Sequence, residues 1–208
     1  MKKPLAQSKG LIDFQPEKIK SEDYFERNRI FDIGVPNSKA GNVTLEEILL
    51  EKVNVGESDF PLIKMNTVLI DHCNFLNTKC EGGYLDKVEV ISSRFTTFQL
   101  VNGNLRDVVF KDSKIDSASF RLSKFKNVLF QRCTFTEGDM YGAILNDVIF
   151  SDCDLTNLQL SAAKLKNVDF RGSNITGIKI NRDSFESVTV DTGQALYLAS
   201  LFGLNIQD

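Results

Sequence analysis

The chain has 208 residues and a mass of 23.4 kDa, with 42% hydrophobic and 25% charged residues. That composition suits one large globular domain and excludes a disordered chain. The net charge of −3 specifies no partner by itself, and no apolar run approaches the roughly 18 residues that a membrane span needs.

In chain order, the first segment is 1–42. It opens on MKKPLAQSKG, with Lys2 and Lys3 but no apolar h-region, so a secretory signal is not expected. Two readings stay open for the rest. SEDYFERNRIFDI (21–33) could start a helix at Ser21, with Glu22 and Asp23 in its first turn. Alternatively Phe25, Ile30 and Val35 begin an irregular first coil of the pattern that follows. The segment is therefore an N-terminal cap or an irregular segment.

The second segment, 43–191, is periodic. Every fifth position from Leu45 to Val190 holds Leu, Ile, Val, Phe, Met or Cys. Two residues before each such centre the residue is small or apolar, apart from Asp183. The three remaining positions are mostly polar. Five is neither the 3.6-residue period of a helix nor the two-residue period of a strand. Two residues share one face of a short extended stretch, and the others turn a corner. Valines at 68, 88, 108, 128, 148, 168 and 188 repeat at twenty, so four pentads make a coil. Phe125, Phe130 and Phe135 are then expected to stack on Leu105, Phe110 and Ile115. Such coils bury their inward side chains against one another, as in any solenoid.

The third segment, 192–208, reads as a helix over 192–202, with Thr192 as N-cap and Gly203 following it. Ala195, Leu198, Ala199 and Phe202 would seal the last coil. Leu196, Tyr197, Leu201, Leu204 and Ile206 are left outside, a surplus that points to a homodimer through this helix.

Candidate chemistry is sparse. His72 is the only histidine and falls at an outward position. Cys73, Cys80, Cys133 and Cys153 lack CxxC spacing and suit a reduced, cytosolic protein. Cys133 and Cys153 stand one coil apart, in line with Ser93, Ser113 and Ser173, as ordinary small buried residues. No phosphate loop, metal constellation or acid–base pair stands out, so no cofactor, no metal and no enzymatic activity are expected. The walls carry more information. Asp107, Asp112, Asp147 and Asp152 gather near corners, while Arg106, Lys124, Lys126, Lys164 and Lys166 occupy another face. Leu49, Leu69, Val109, Leu129 and Ile149 sit just before centres, where a residue should face water. They form an apolar stripe interrupted by Glu89 and Asp169. The stripe is either a ladder that favours extended backbone, a surface covered by 1–42, or a docking surface.

CDLTN (153–157), SNITG (173–177) and CNFLN (73–77) resemble the pentapeptide repeat family. The resemblance covers 43–191 and implies an all-β fold: a right-handed, quadrilateral parallel β-helix with a C-terminal capping helix. QALYLASLFGLNI (194–206) is similar to the C-terminus of Qnr-type quinolone-resistance proteins of Gram-positive bacteria. That likeness implies a cytoplasmic, dimeric DNA mimic that binds DNA gyrase or topoisomerase IV, protects it from fluoroquinolones, and contacts neither nucleic acid nor membrane directly. Two departures stand beside it: no loop interrupts the register from 43 to 190, and the net charge is low for a DNA mimic. The alternative is a non-enzymatic scaffold with an unrelated protein partner.

Overall fold

A computed structural model of the chain describes residues 10–206. The N-terminal residues Lys2 and Lys3, on which the signal-peptide reading rests, lie outside the described residues. The chain winds into a parallel solenoid. The eight-residue strands β4 (Thr44–Glu51), β5 (Lys64–Asp71), β6 (Tyr84–Ile91), β7 (Asn104–Lys111), β8 (Lys124–Gln131) and β9 (Ile144–Ser151) start twenty residues apart. They are followed by β10 (Lys164–Asp169) and β11 (Phe185–Thr189). Each pairs with the next in parallel, residue i against residue i+20 along β4 to β10. No insertion breaks that spacing.

Each long strand wraps one corner of the coil and so contributes to two walls. The other two walls are held by single bridges, such as Lys114 to Thr134 and Ser119 to Asp139. In one coil the four walls are centred on Phe125, Phe130, Phe135 and Met140, all essentially inaccessible to solvent. Rings stack along the second wall: Phe110, Phe130, Phe150 and Phe170 lie 5.0, 5.0 and 5.3 Å apart, with interplanar angles of 3°, 8° and 3°. Phe125 stands on Leu105 and Phe130 on Phe110, as the period requires.

The corners show what a five-residue wall costs. Every fifth residue from Glu22 to Gly177 has a positive φ, between 47° and 76°. Most are not glycine. L-residues enter this left-handed region at about 1–2 kcal/mol each. The surrounding ladder holds them there. After the third and fourth walls a backbone bond closes the turn, as from Thr78 N–H to the Phe75 carbonyl (3.2 Å) or from Ser123 N–H to the Phe120 carbonyl (3.2 Å).

Small polar residues at the second inward position have a use that composition alone does not reveal. Ser93 Oγ accepts from Cys73 N–H at 2.9 Å and donates to the Ile91 carbonyl at 2.7 Å. Ser113 does the same for Ser93 N–H and the Lys111 carbonyl, and Ser173 for Cys153 N–H and the Phe150 carbonyl. These side chains satisfy inward-turned backbone groups that would otherwise be buried unpaired.

The segment 21–33 forms no helix. It contains strands β2 (Tyr24–Glu26) and β3 (Asn28–Phe31), both parallel to β4, with Phe25 against Leu45 and Ile30 against Leu50. Phe25, Ile30, Val35 and Ala40 are buried, so the pentad register begins one coil before residue 43. Strand β1 (Ile12–Asp13) pairs with β3, and Pro16 and Ile19 line an apolar cavity of about 40 Å³ at this end of the axis.

The far end is closed by helix α1 (Thr192–Leu201). Its N-cap is Asp191, not Thr192: the Asp191 side chain accepts from Gln194 N–H at 2.9 Å, and the Gln194 side chain accepts from Asp191 N–H at 3.0 Å. Gly203 takes a φ of +81° just past the helix, as a terminating glycine should.

Candidate interaction surfaces

A further coil laid on the last one would supply donors and acceptors to it, residue by residue. Side chains supply them instead. Gln194 is buried and donates from Nε2 to the carbonyls of Phe170 (2.6 Å) and Ser173 (2.7 Å). The Tyr197 hydroxyl accepts from Gly177 N–H at 2.7 Å, and Asn181 Oδ1 accepts from Ala162 N–H at 2.9 Å. The end of the ladder is thus satisfied by polar groups as much as by apolar contact.

The side chains of α1 divide differently from the expected faces. Tyr197 was expected to face outward; it is half-buried, turned back onto the coil because its hydroxyl is needed at Gly177. Ala195, expected to seal the end, is exposed, and Gln194 takes the buried position. Leu198, Ala199 and Phe202 are half-buried, with the Phe202 ring 5.9 Å from that of Phe185. Leu196, Leu201, Leu204 and Ile206 are 49%, 44%, 62% and 51% exposed. Four large apolar side chains of one short terminal segment are thus left open to solvent.

The apolar stripe exists as a column. Arg29, Leu49, Leu69, Glu89, Val109, Leu129, Ile149 and Asp169 pair in succession along the second wall. Its members are not equally open. Leu49 is buried, against expectation; Leu69, Val109 and Leu129 are half-buried; only Ile149 is exposed, at 42%. Stacking at the strand spacing, about 4.8 Å, lets each side chain shield its neighbours.

Charges are also organised by the twenty-residue register. Asp107, Asp112, Asp147 and Asp152 all occupy left-handed corners, where Asp is better tolerated than most residues. Asn127 donates to Asp107 one coil below, and Asn167 to Asp147 at 3.0 Å. Arg132 forks onto Asp112 at 2.6 and 2.9 Å. An amide or a cation therefore stands where a second stacked carboxylate would repel.

One pair is more deeply set. Asp86 is 4% exposed, and Arg106 grips it with two bonds of 2.6 and 2.8 Å. The Arg106 guanidinium holds the Asp86 carboxyl below its ordinary range, although burial works in the opposite direction. A depressed folded-state value stabilises the fold above the unfolded carboxylate's pKa, and that stability is lost as pH falls through the folded value. Wild-type protein should thus keep its urea midpoint down to about pH 4. In Arg106→Met the midpoint should be lower near neutral pH, and the acid loss due to Asp86 should shrink or reverse, because a buried Asp86 without its cation binds its proton more readily in the folded state. Superimposable pH profiles for the two proteins would rule this out.

The four thiols divide: three are raised, and Cys153 is lowered by its hydrogen bond with Cys133. Burial pushes the Cys73 thiol up to about 11 and drives Cys80 higher still, and Cys133 is raised by its bond with the Cys153 thiol and by burial. All four thiols are free and buried. His72 is exposed and bonds only to Asp71, at 2.7 Å. Among the described residues no group of three potential ligands could hold a metal ion, and no helix is long and apolar enough to cross a membrane.

Comparison with known proteins agrees with this architecture. Residues 123–198 match the model of the pentapeptide repeat region. A structure of trypsin-treated QnrB1, a plasmid-mediated fluoroquinolone resistance protein, superimposes with a TM-score of 0.50 at 15% identity, covering 95% of this chain and 98% of that one. A pentapeptide repeat protein from the Arabidopsis thaliana thylakoid lumen is 24% identical over 52% of this chain and 72% of that one, with a TM-score of 0.42. HetL, a pentapeptide repeat protein of the cyanobacterium Nostoc involved in heterocyst differentiation regulation, is 11% identical over 83% and 88%, with a TM-score of 0.31. No curated protein sequence matches significantly. The fold and its repeat define a quadrilateral β-helix closed by a C-terminal helix. Residues 123–198 thus match a pentapeptide repeat region, and the fold of the chain is similar to that of QnrB1.

Proposed function

We propose that this rod is a non-enzymatic, cytoplasmic interaction module. It binds DNA gyrase or topoisomerase IV as a DNA mimic and protects the enzyme from fluoroquinolones. It acts as a homodimer joined through α1. The observation that carries the reading is the end of the rod: a Qnr-like solenoid terminates in a helix whose Leu196 and Leu201, with Leu204 and Ile206 beyond it, face away from the coil they close. Apolar surface of that kind is readily buried against a second copy, which would double the rod's length.

The test has two parts. Purified protein should restore gyrase supercoiling in the presence of ciprofloxacin, and its mass by light scattering should be that of a dimer. Leu196→Glu with Leu201→Glu should halve the mass and weaken the rescue. The absence of both rescue and binding, for gyrase and for topoisomerase IV alike, would remove the proposal. A scaffold with an unrelated protein partner is the second reading. Ile149, exposed beside half-buried Leu129, favours it, with docking on the second wall.

A further inference from the structure

A DNA mimic needs negative charge on the surface it presents, and one wall of this rod has the opposite sign. On the first wall, four successive coils place Asn104, Lys124, Ile144 and Lys164 in one column and Arg106, Lys126, Asn146 and Lys166 in the next. This grid of eight positions holds five cations and no carboxylate. Its acids lie at the margins: Asp86 one coil before, gripped by Arg106, and Glu186 one coil after, bonded to Lys166 at 2.6 Å. Asp107 and Asp147, at the adjoining corner, are occupied by Asn127 and Asn167. Lys124, Lys126 and Lys164 are exposed and have no carboxylate within 4.0 Å among the described residues. A chain with net charge −3 has carboxylates enough to neutralise them and does not place them here.

We propose that this wall is a docking surface for duplex DNA, held through its phosphates. Three things select that partner. The surface is held rigid, since every backbone position in it belongs to a ladder of paired strands. Its cations span three coil steps, about 14 Å at the strand spacing. At one phosphate per roughly 1.7 Å of axis, that length of duplex carries about eight charges. The grid also contains no aromatic side chain on which an unpaired base could stack, so a single strand gains nothing beyond charge there. The contact is sequence-independent, because lysines on phosphates position a duplex without reading it. This goes beyond the topoisomerase reading and does not depend on it. The same rod could present its acidic corners to an enzyme and this wall to the DNA beside it.

The test uses the full-length protein, a fluorescein-labelled 20-base-pair duplex and no topoisomerase. Anisotropy should report binding at 50 mM NaCl that is about 40-fold weaker at 200 mM, the loss expected when about three phosphates are neutralised. Combined reversal of the free lysines, K124E/K126E/K164E, should abolish binding while leaving the circular dichroism melt unchanged. Lys79→Glu, on the fourth wall, should bind as wild type. The inference is overturned by no binding at 50 mM, by a triple variant that binds normally, or by equal loss in Lys79→Glu. Preference for the single strand or for poly-L-glutamate over duplex DNA also overturns it, the last outcome assigning the wall to an acidic protein surface.

Discussion

Replacing Phe130 with alanine lowers the unfolding free energy by about 3–5 kcal/mol, the range for truncating a buried phenylalanine. Phe130 is wholly inaccessible, stacked 5.0 Å from both Phe110 and Phe150 and within 5.8 Å of Phe135. The void cannot easily collapse. The rings above and below are fixed by their own backbone ladders, so neither can slide along the axis to fill it. Coils contact only their neighbours, so the lesion also tests how far cooperativity extends along the rod. Equilibrium urea unfolding, followed by circular dichroism, gives the midpoint and slope. A single shifted transition means that the rod unfolds as a unit. Two transitions mean that it divides near Phe130. A loss below about 1 kcal/mol would show that the stack does not support the core. Phe14, 41% exposed at the other end, is the control and should lose little on truncation.

Gln194→Leu should open the C-terminal end. The change nearly preserves shape and removes three bonds at once: two from Nε2 to the carbonyls of Phe170 and Ser173, and one from Asp191 N–H to Oε1. A stranded buried carbonyl costs about 1–3 kcal/mol. Loss of the reciprocal cap adds roughly another 1 kcal/mol. Helix α1 is only 10 residues long, too short to persist once undocked. Amide hydrogen exchange across Thr192–Leu201 should accelerate strongly while that of β8 stays slow. Unchanged protection in α1 would mean that Leu198 and Phe202 hold the helix without Gln194. If the dimer forms through this helix, the same variant should also lose mass in solution.

The core of this fold was legible because burial is written directly as residue type. A position that faces the axis every fifth residue can hold only apolar side chains, and the period survives every change among Leu, Ile, Val, Phe, Met and Cys. The first coil was harder to see because its second inward positions include Asp23 and Asn28. At an open end such a residue can reach a local backbone partner, as Asp23 does by accepting from Lys20 N–H at 2.7 Å. The left-handed conformation of the corners was invisible for a different reason. Glu22, Leu62, Thr97, Asp112, Arg132 and Ala162 share a backbone conformation but no side-chain chemistry.

The surfaces were legible in part. The lysine face and the acidic corners could be placed by counting in twenties. Which charges were already paired could not, since that depends on side-chain reach between coils. Tyr197 illustrates the limit best. It is apolar enough to count toward an outward patch and polar enough to complete a ladder, and only the unpaired Gly177 N–H decides between them. Leu49 makes the same point from the apolar side: its column predicts the stripe, but not how much of each member its neighbours cover.

The left-handed corners also set how such a protein can lengthen. Every wall takes the same number of residues, and every corner is held in place by the coil beside it. One added residue would displace each later corner, turning centres toward water and polar residues toward the axis. Twenty added residues would leave every column intact and lengthen the rod by one strand spacing. Growth of this molecule over generations is therefore quantised: whole coils can be gained or lost by duplication and deletion, and fractional ones cannot.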